Sequence, residues 1–302
     1  MKRGRIQLVT IVAALAVVTF ATRGSSGQSR RSRSNSPVKP TVMTKTPATT
    51  AKANTSPALM AAAESNATMR NELTWMFGGK QQRGWDLYNL LIAQTLKTQH
   101  DSWTTDFAAA VGAWQRTRGL SPSGVLDEVS WMAMVSQWQG KRLQNRPIPD
   151  PDHLVTVPSS DFYDPERLVE LRQVERSTYA AYKQMLAAAI ADPNLKLART
   201  PSGELAPGEK YFKIISAFRT REYQDRLRRE SPHAGSAGLA VNSPHFTGRA
   251  LDLYVGGDPV DTKDSNRAIQ VNTPAYQWLV RNAERFGFRP YFYEPWHWEY
   301  VR

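Results

Sequence analysis

The sequence predicts an α+β fold for its carboxy-terminal half, preceded by a small three-helix domain. Three observations lead there. The last ninety residues or so hold short apolar, β-prone runs, among them Ala250–Val255, Phe288–Tyr293 and His297–Val301, mixed with helical segments in no regular alternation. Residues 71–145 show helical periodicity only. Between the two, Lys141–Pro158 holds four prolines and reads as an interdomain linker, so the second domain is expected over 146–302.

Composition narrows the chemistry. The 302 residues include no cysteine, which excludes thiolate metal sites, disulfides and cysteine nucleophiles. The formal charge of +12 is unevenly placed: residues 1–70 carry eleven Lys or Arg against one Glu, and the rest carry 28 against 26. The basic character belongs to the amino-terminal tail, which argues against a nucleic-acid-binding face and suits anionic lipid or wall polymer.

In residues 1–22, Lys2, Arg3 and Arg5 precede an uncharged run of about fourteen residues, Leu8–Ala21. This predicts a signal peptide or, if uncleaved, a membrane anchor, the run being short for a span of ~20 residues. The remainder is expected to be exported to the cell envelope. Residues 23–70 are rich in Ser, Thr, Ala, Asn and Pro, too poor in apolar groups to offset the entropy of ordering, and read as a disordered linker.

Trp85, Tyr88, Leu91, Ile92 and Leu96 then follow helical spacing; Phe107, Val111 and Trp114 mark a second helix, and Trp131, Met134 and Val135 a third. Trp114-Gln115, Gly119-Leu120, Gly124-Val125-Leu126-Asp127 and Ser130-Trp131 resemble the pattern of the small peptidoglycan-binding domain. The resemblance implies a wall-binding module, beside the reading of an ordinary helical module whose motif residues are structural. Next, Asp164 as N-cap and Pro165 predict a long helix ending at Asp192-Pro193, with Leu168, Leu171, Val174, Thr178, Tyr182, Met185 and Ile190 as its apolar stripe. Tyr211–Phe218 predicts a strand ending at Arg219, and 230–242 a small-residue loop. Thr273-Pro274 opens a helix closed by Gly287.

The chemistry concentrates around His245, Asp252 and His297. Asp252 lies in an apolar Leu-Asp-Leu-Tyr-Val strand, where a carboxylate is costly to bury unless paired or metal-bound. His297 lies likewise between Trp296 and Trp298. Imidazole and carboxylate are the donors zinc takes, and three protein ligands leave a fourth position open, as in catalytic rather than structural sites. Glu294, three residues before His297, is placed to act as a general base beside the ion without binding it. Asp258, Asp261 and Asp264 miss EF-hand spacing, and neither a phosphate-binding glycine loop nor a Gly-x-Ser-x-Gly elbow occurs.

Residues from about 160 to 302 resemble the zinc D,D-carboxypeptidases and D-Ala-D-Ala dipeptidases of the VanY and VanX kind, LAS metallopeptidases that share a fold with hedgehog signalling domains. Ser-x-His-x-x-Gly-x-Ala-x-Asp is met by Ser243, His245, Gly248, Ala250 and Asp252, and Glu-Pro-Trp-His-Trp by Glu294–Trp298. Ser-Gly-Tyr-Arg-Ser is approximated by Ser216-Ala217-Phe218-Arg219-Thr220, with Gln224 following. The resemblance implies a hedgehog-like, D,D-peptidase-like antiparallel sheet with flanking helices. It also implies zinc on His245, Asp252 and His297, Glu294 as base, Arg219 near the scissile carbonyl, and Ser243 and Gln224 at the substrate. A turn role for Ser243 stands beside its substrate role. Pro244, Phe246 and Ala217 depart from the pattern and leave the substrate preference open.

The expected function is a zinc peptidase of peptidoglycan stem peptides, foremost a D-alanyl-D-alanine carboxypeptidase, with no nucleic-acid partner and membrane contact only through the amino terminus. A peptidoglycan endopeptidase and a non-catalytic zinc-bearing wall-binding module are the alternatives. Glu294 and Arg219 argue against the last.

Overall fold

The computed structural model describes residues 56–230 and 239–302. The expected signal or anchor, the linker as far as residue 55 and most of the 230–242 loop lie outside the described residues. Helix α1 (Pro57–Glu72) begins where a linker was expected. Ser56 caps it, accepting from the Leu59 amide at 3.2 Å, and Pro57 takes the first helical position. Its alanines explain the correction: low mean hydropathy hides the high helix propensity of alanine. Ala62, Ala63 and Asn66 are buried, and the Asn66 amide group donates to the Gly124 carbonyl and accepts from the Leu126 amide.

A hairpin follows that no expectation covered, β1 (Thr74–Phe77) against β2 (Lys80–Arg83). Gly78 and Gly79, at φ 57° and 77°, turn it with the hand that matches strand twist. Three expected helices come next: α2 (Asn89–Leu96), α3 (Thr105–Thr117) and α4 (Glu128–Gly140), the last two capped by Thr104 and Asp127. Gln115 is buried; its Oε1 accepts from the Gly124 amide, and its Nε2 donates to the Val125 carbonyl and Ser130 Oγ. The Gln, Gly-Val and Ser positions of the motif are therefore structural.

The helix expected from Asp164 starts later. Asp164 only turns the chain, accepting from the Glu166 amide, while Leu168 and Val169 are exposed. Val174 is buried in β4 (Gln173–Glu175), paired with β3 (Leu154–Thr156), so residues at apparent i, i+3 spacing belong to an extended strand. Glu175 then caps α5 (Arg176–Ala191), accepting from the amides of Ser177 and Thr178.

The central sheet is antiparallel, in the order β5 (Ile214–Ser216), β6 (Ala250–Leu253), β8 (His297–Tyr300), β7 (Phe288–Pro290). All four strands are shorter than the apolar runs containing them. Phe212, at φ 66°, and a register shift between Ile214 and Ser216 confine β5. Helices α6 (Arg221–Glu230), α7 (Asp264–Val271) and α8 (Pro274–Asn282) complete the α+β fold, α8 beginning at the expected Thr273 cap.

The boundary expected near residue 145 is not a break in packing. Trp75, Tyr88, Trp131 and Trp138 from the helical side form one buried cluster with Phe292, Trp296 and Trp298 from the sheet side. Phe292 lies 5.4 Å from the Tyr88 ring and 5.9 Å from that of Trp138. Among the described residues no helix is long and apolar enough to cross a membrane.

Candidate active site

Three strands bring the polar residues of the apolar runs into one row. Ser216 on β5 pairs with Asp252 on β6, and Asp252 with His297 on β8. Residues opposite one another across antiparallel strands share a face, so the register itself sets Asp252 and His297 side by side. His245 arrives from the turn Pro244–Thr247, which Ser243 caps by accepting from the His245 amide at 3.3 Å. Gly248, at φ 67°, closes that turn and sends the chain into β6. A Cβ there would lie 2.9 Å from the Glu175 amide nitrogen, so the position needs glycine.

One ligand atom from each of His245, Asp252 and His297 lies within 4.8 Å of the other two, and all three residues are buried. The ring tautomers suit a cation at that point. His245 Nδ1 is 2.6 Å from the Ala217 carbonyl, which only accepts, so Nδ1 carries the proton and Nε2 offers its lone pair 3.2 Å from Asp252 Oδ2. His297 Nε2 is 3.2 Å from Glu299 Oε1, which leaves Nδ1 facing Asp252 Oδ1 at 2.8 Å. Two imidazoles and a carboxylate, converging and each held from behind, fit a divalent cation.

The charges follow from the same contacts. Burial, with the Arg219 charge, takes His245 down to about 4, so its ring is neutral and its contact with Asp252 is not an ion pair. Burial works against the charge on Asp252, but the hydrogen bond from His297 and the Arg219 charge hold its carboxyl well below the usual range. Burial also disfavours a charge on His297, yet the carboxylates of Asp252 and Glu299 outweigh it and bring the ring up to about 9. Glu294 is buried, and desolvation raises its carboxyl to about 8, in the range of a proton acceptor that works near neutrality.

These groups line a cleft of about 590 Å³, walled by Arg219, Ser243, Pro244, His245, Asp252, Glu294 and His297. Ser243 is in that wall, although its hydroxyl is engaged in the turn. Gln224 is not on the wall: its Oε1 accepts from Arg219 Nη1 and its Nε2 donates to the Ala240 carbonyl, so it holds the guanidinium from behind. Arg219 also donates through Nε to Ser216 Oγ and through Nη2 to Asp252 Oδ2 at 2.6 Å.

The helical segment reaches this site, which the sequence reading missed. Phe77, Gly78, Gln139, Arg142 and Arg146 line the same cleft. The Phe77 ring packs on Tyr291, Phe292 and Tyr293, the residues that lead into Glu294. Glu299 was also missed, though a carboxylate two residues after His297 in an aromatic strand carried the same signal as Asp252.

Residues 204–302 match the family model VanY, D-alanyl-D-alanine carboxypeptidase. No curated protein matches the chain. Among solved structures, one described as the LdcB LD-carboxypeptidase and the molecular basis of its peptidoglycan recognition is similar with a TM-score of 0.34 and 22% identity. That similarity covers 51% of this chain and 70% of the other. The matched residues contain Arg219, His245, Asp252, Glu294 and His297, so the stretch that is similar to the VanY D-alanyl-D-alanine carboxypeptidase model is also the stretch that builds the cleft.

Proposed function

We propose that the chain is a zinc peptidase of the cell envelope that removes the terminal D-alanine from peptidoglycan stem peptides. The observation that carries this reading is the convergence of His245, Asp252 and His297 beside the buried carboxyl of Glu294 in one cleft. Zinc held there supplies Lewis-acid polarisation of the scissile carbonyl and acidifies water. Glu294 takes the proton of the attacking water and returns it to the departing amine as the C–N bond breaks. The Arg219 guanidinium, fixed by Ser216, Gln224 and Asp252, offers a preorganised positive charge to the developing oxyanion. Ser243 and the cleft wall position the peptide.

The family match supports a wall peptide as substrate. The basic, apolar start of the sequence supports export, and the motif of the helical segment supports a wall-binding contribution that raises local substrate concentration. The test is digestion of purified wall by the zinc-loaded chain, with products identified by mass. Free D-alanine is expected; internal stem or cross-bridge fragments would make the protein an endopeptidase, and no product would make it a binding protein. Glu294→Ala should keep zinc and lose roughly 100- to 10,000-fold in rate.

A further inference from the structure

The helical segment does more than share a core with the peptidase domain. It ends in Arg142 and Leu143, which close on the carboxylate of Glu299. Glu299 is fully buried, and each of its oxygens is engaged. Oε1 accepts from Arg142 Nε at 3.0 Å, from Arg142 Nη2 and from His297 Nε2, while Oε2 accepts from the Leu143 amide at 2.8 Å. Arg142 is fixed in turn. Gln139 on α4 accepts from its Nη1 at 3.0 Å, and its guanidinium lies 3.9 Å from the centre of the Tyr291 ring, which meets His297 edge-on.

We infer that Glu299 and Arg142 are positioning residues for the metal centre, through which the amino-terminal helical segment sets the tautomer and orientation of His297. The inference rests on the metal reading proposed above. An imidazole between two carboxylates has two ways to place one proton. If Nδ1 keeps it, the ring donates to Asp252 and offers no lone pair to a cation. If Nε2 keeps it, the ring donates to Glu299 and Nδ1 is free to bind. A carboxylate behind the ring selects the second arrangement. Arg142 completes the selection, because a neutralised Glu299 is a weaker base and leaves the proton on the ring. The peptidase domain supplies all three candidate ligands, yet the cation behind Glu299, which steadies one of them, is Arg142, 157 positions before that glutamate.

The experiment uses the full chain and zinc as the probe. Zinc affinity is measured above pH 9, where the His297 ring has released its competing proton, by competition with a chromophoric chelator for the wild type, Glu299→Gln, Arg142→Met and the double variant. Glu299→Gln is expected to weaken binding about 10- to 100-fold, and Arg142→Met several-fold. The double variant should bind about as weakly as Glu299→Gln alone, because both residues act through one carboxylate. Variants that melt earlier but bind zinc within twofold of the wild type would mark the pair as merely structural and overturn the inference. Wild type that takes up no zinc would remove the metal reading itself, and this inference with it. A measurement on the wild type holds if the variants do not fold: ¹⁵N shifts of zinc-loaded protein should show His297 protonated at Nε2 and bound through Nδ1. The reverse assignment overturns the inference.

Discussion

Asp252 and His297 stand opposite each other on adjacent antiparallel strands, Oδ1 of the one 2.8 Å from Nδ1 of the other. Neither residue belongs in an apolar strand on hydropathy grounds. Together they convert the middle of the sheet into a charged point that His245 and Arg219 complete from the flanking turns. The order matters physically. The sheet fixes two candidate ligands by backbone pairing alone, and the Gly248 turn has only one left to deliver.

Asp252 is both a candidate cation ligand and the counter-charge of buried Arg219. Asp252→Asn should abolish zinc uptake and also destabilise the metal-free protein. Breaking one side of a buried ion pair costs roughly 3–5 kcal/mol. Urea unfolding in chelator, wild type against variant, checks this. A loss under about 1 kcal/mol would mean that Arg219 finds another partner.

The candidate site was legible because buried polar residues in strands of alternating apolar character are conspicuous, and the same logic picks out Asp252 and His297. The pairing of Glu299 with Arg142 was not legible. Nothing local in residues 141–158 announces that an arginine in a proline-rich stretch docks on the last strand. The misplaced start of α5 has a different origin. Leu168, Leu171 and Val174 happen to fall at helical spacing, but Val174 is buried by strand pairing and Leu168 is exposed. Periodicity alone does not separate a short strand from the first turn of a helix. Alanines at 61–63 misled in the opposite direction, because composition read as linker where propensity and an Asn66 anchor made a helix.

Zinc affinity should rise with pH. The His297 ring, raised to about 9 by Asp252 and Glu299 against the effect of burial, is cationic at pH 7, and a cation binds only after Nδ1 releases its proton. Affinity should climb about tenfold per unit between pH 7 and 9 and level off above. His245, brought down to about 4, adds no slope in that range. Chelator competition across this range tests it; an affinity flat from pH 7 to 9 would contradict the protonated ring.

Gly248→Ala should damage both stability and metal binding. The residue adopts φ 67°, and its Cβ would sit 2.9 Å from the Glu175 amide nitrogen and 3.0 Å from Leu154 Cδ2. The left-handed conformation alone costs roughly 1–2 kcal/mol for a side-chain-bearing residue, and the Glu175 amide that meets the new atom also donates to the Gly248 carbonyl. The chain must move, and His245 moves with it. A lowered Tm together with weaker zinc binding is expected; a variant matching the wild type in both would show that the turn absorbs a methyl group freely.

The shared core makes the sharpest prediction about folding. Trp131 of α4 meets Trp75 at 5.1 Å, Tyr88 at 5.2 Å and Trp138 at 5.6 Å, and the same cluster continues through Phe292 to the loop carrying Glu294. Residues that share side-chain contacts across an expected boundary unfold together, because exposing one face strips the other. Scanning calorimetry of the metal-free chain should give one cooperative transition. Trp131→Ala, which removes a fully buried indole, should cost roughly 3–5 kcal/mol and move that whole transition, including the signals of sheet residues such as Trp298. Two separable transitions, with only the lower one displaced by the substitution, would mean that the helical and sheet parts are independently stable and merely touch.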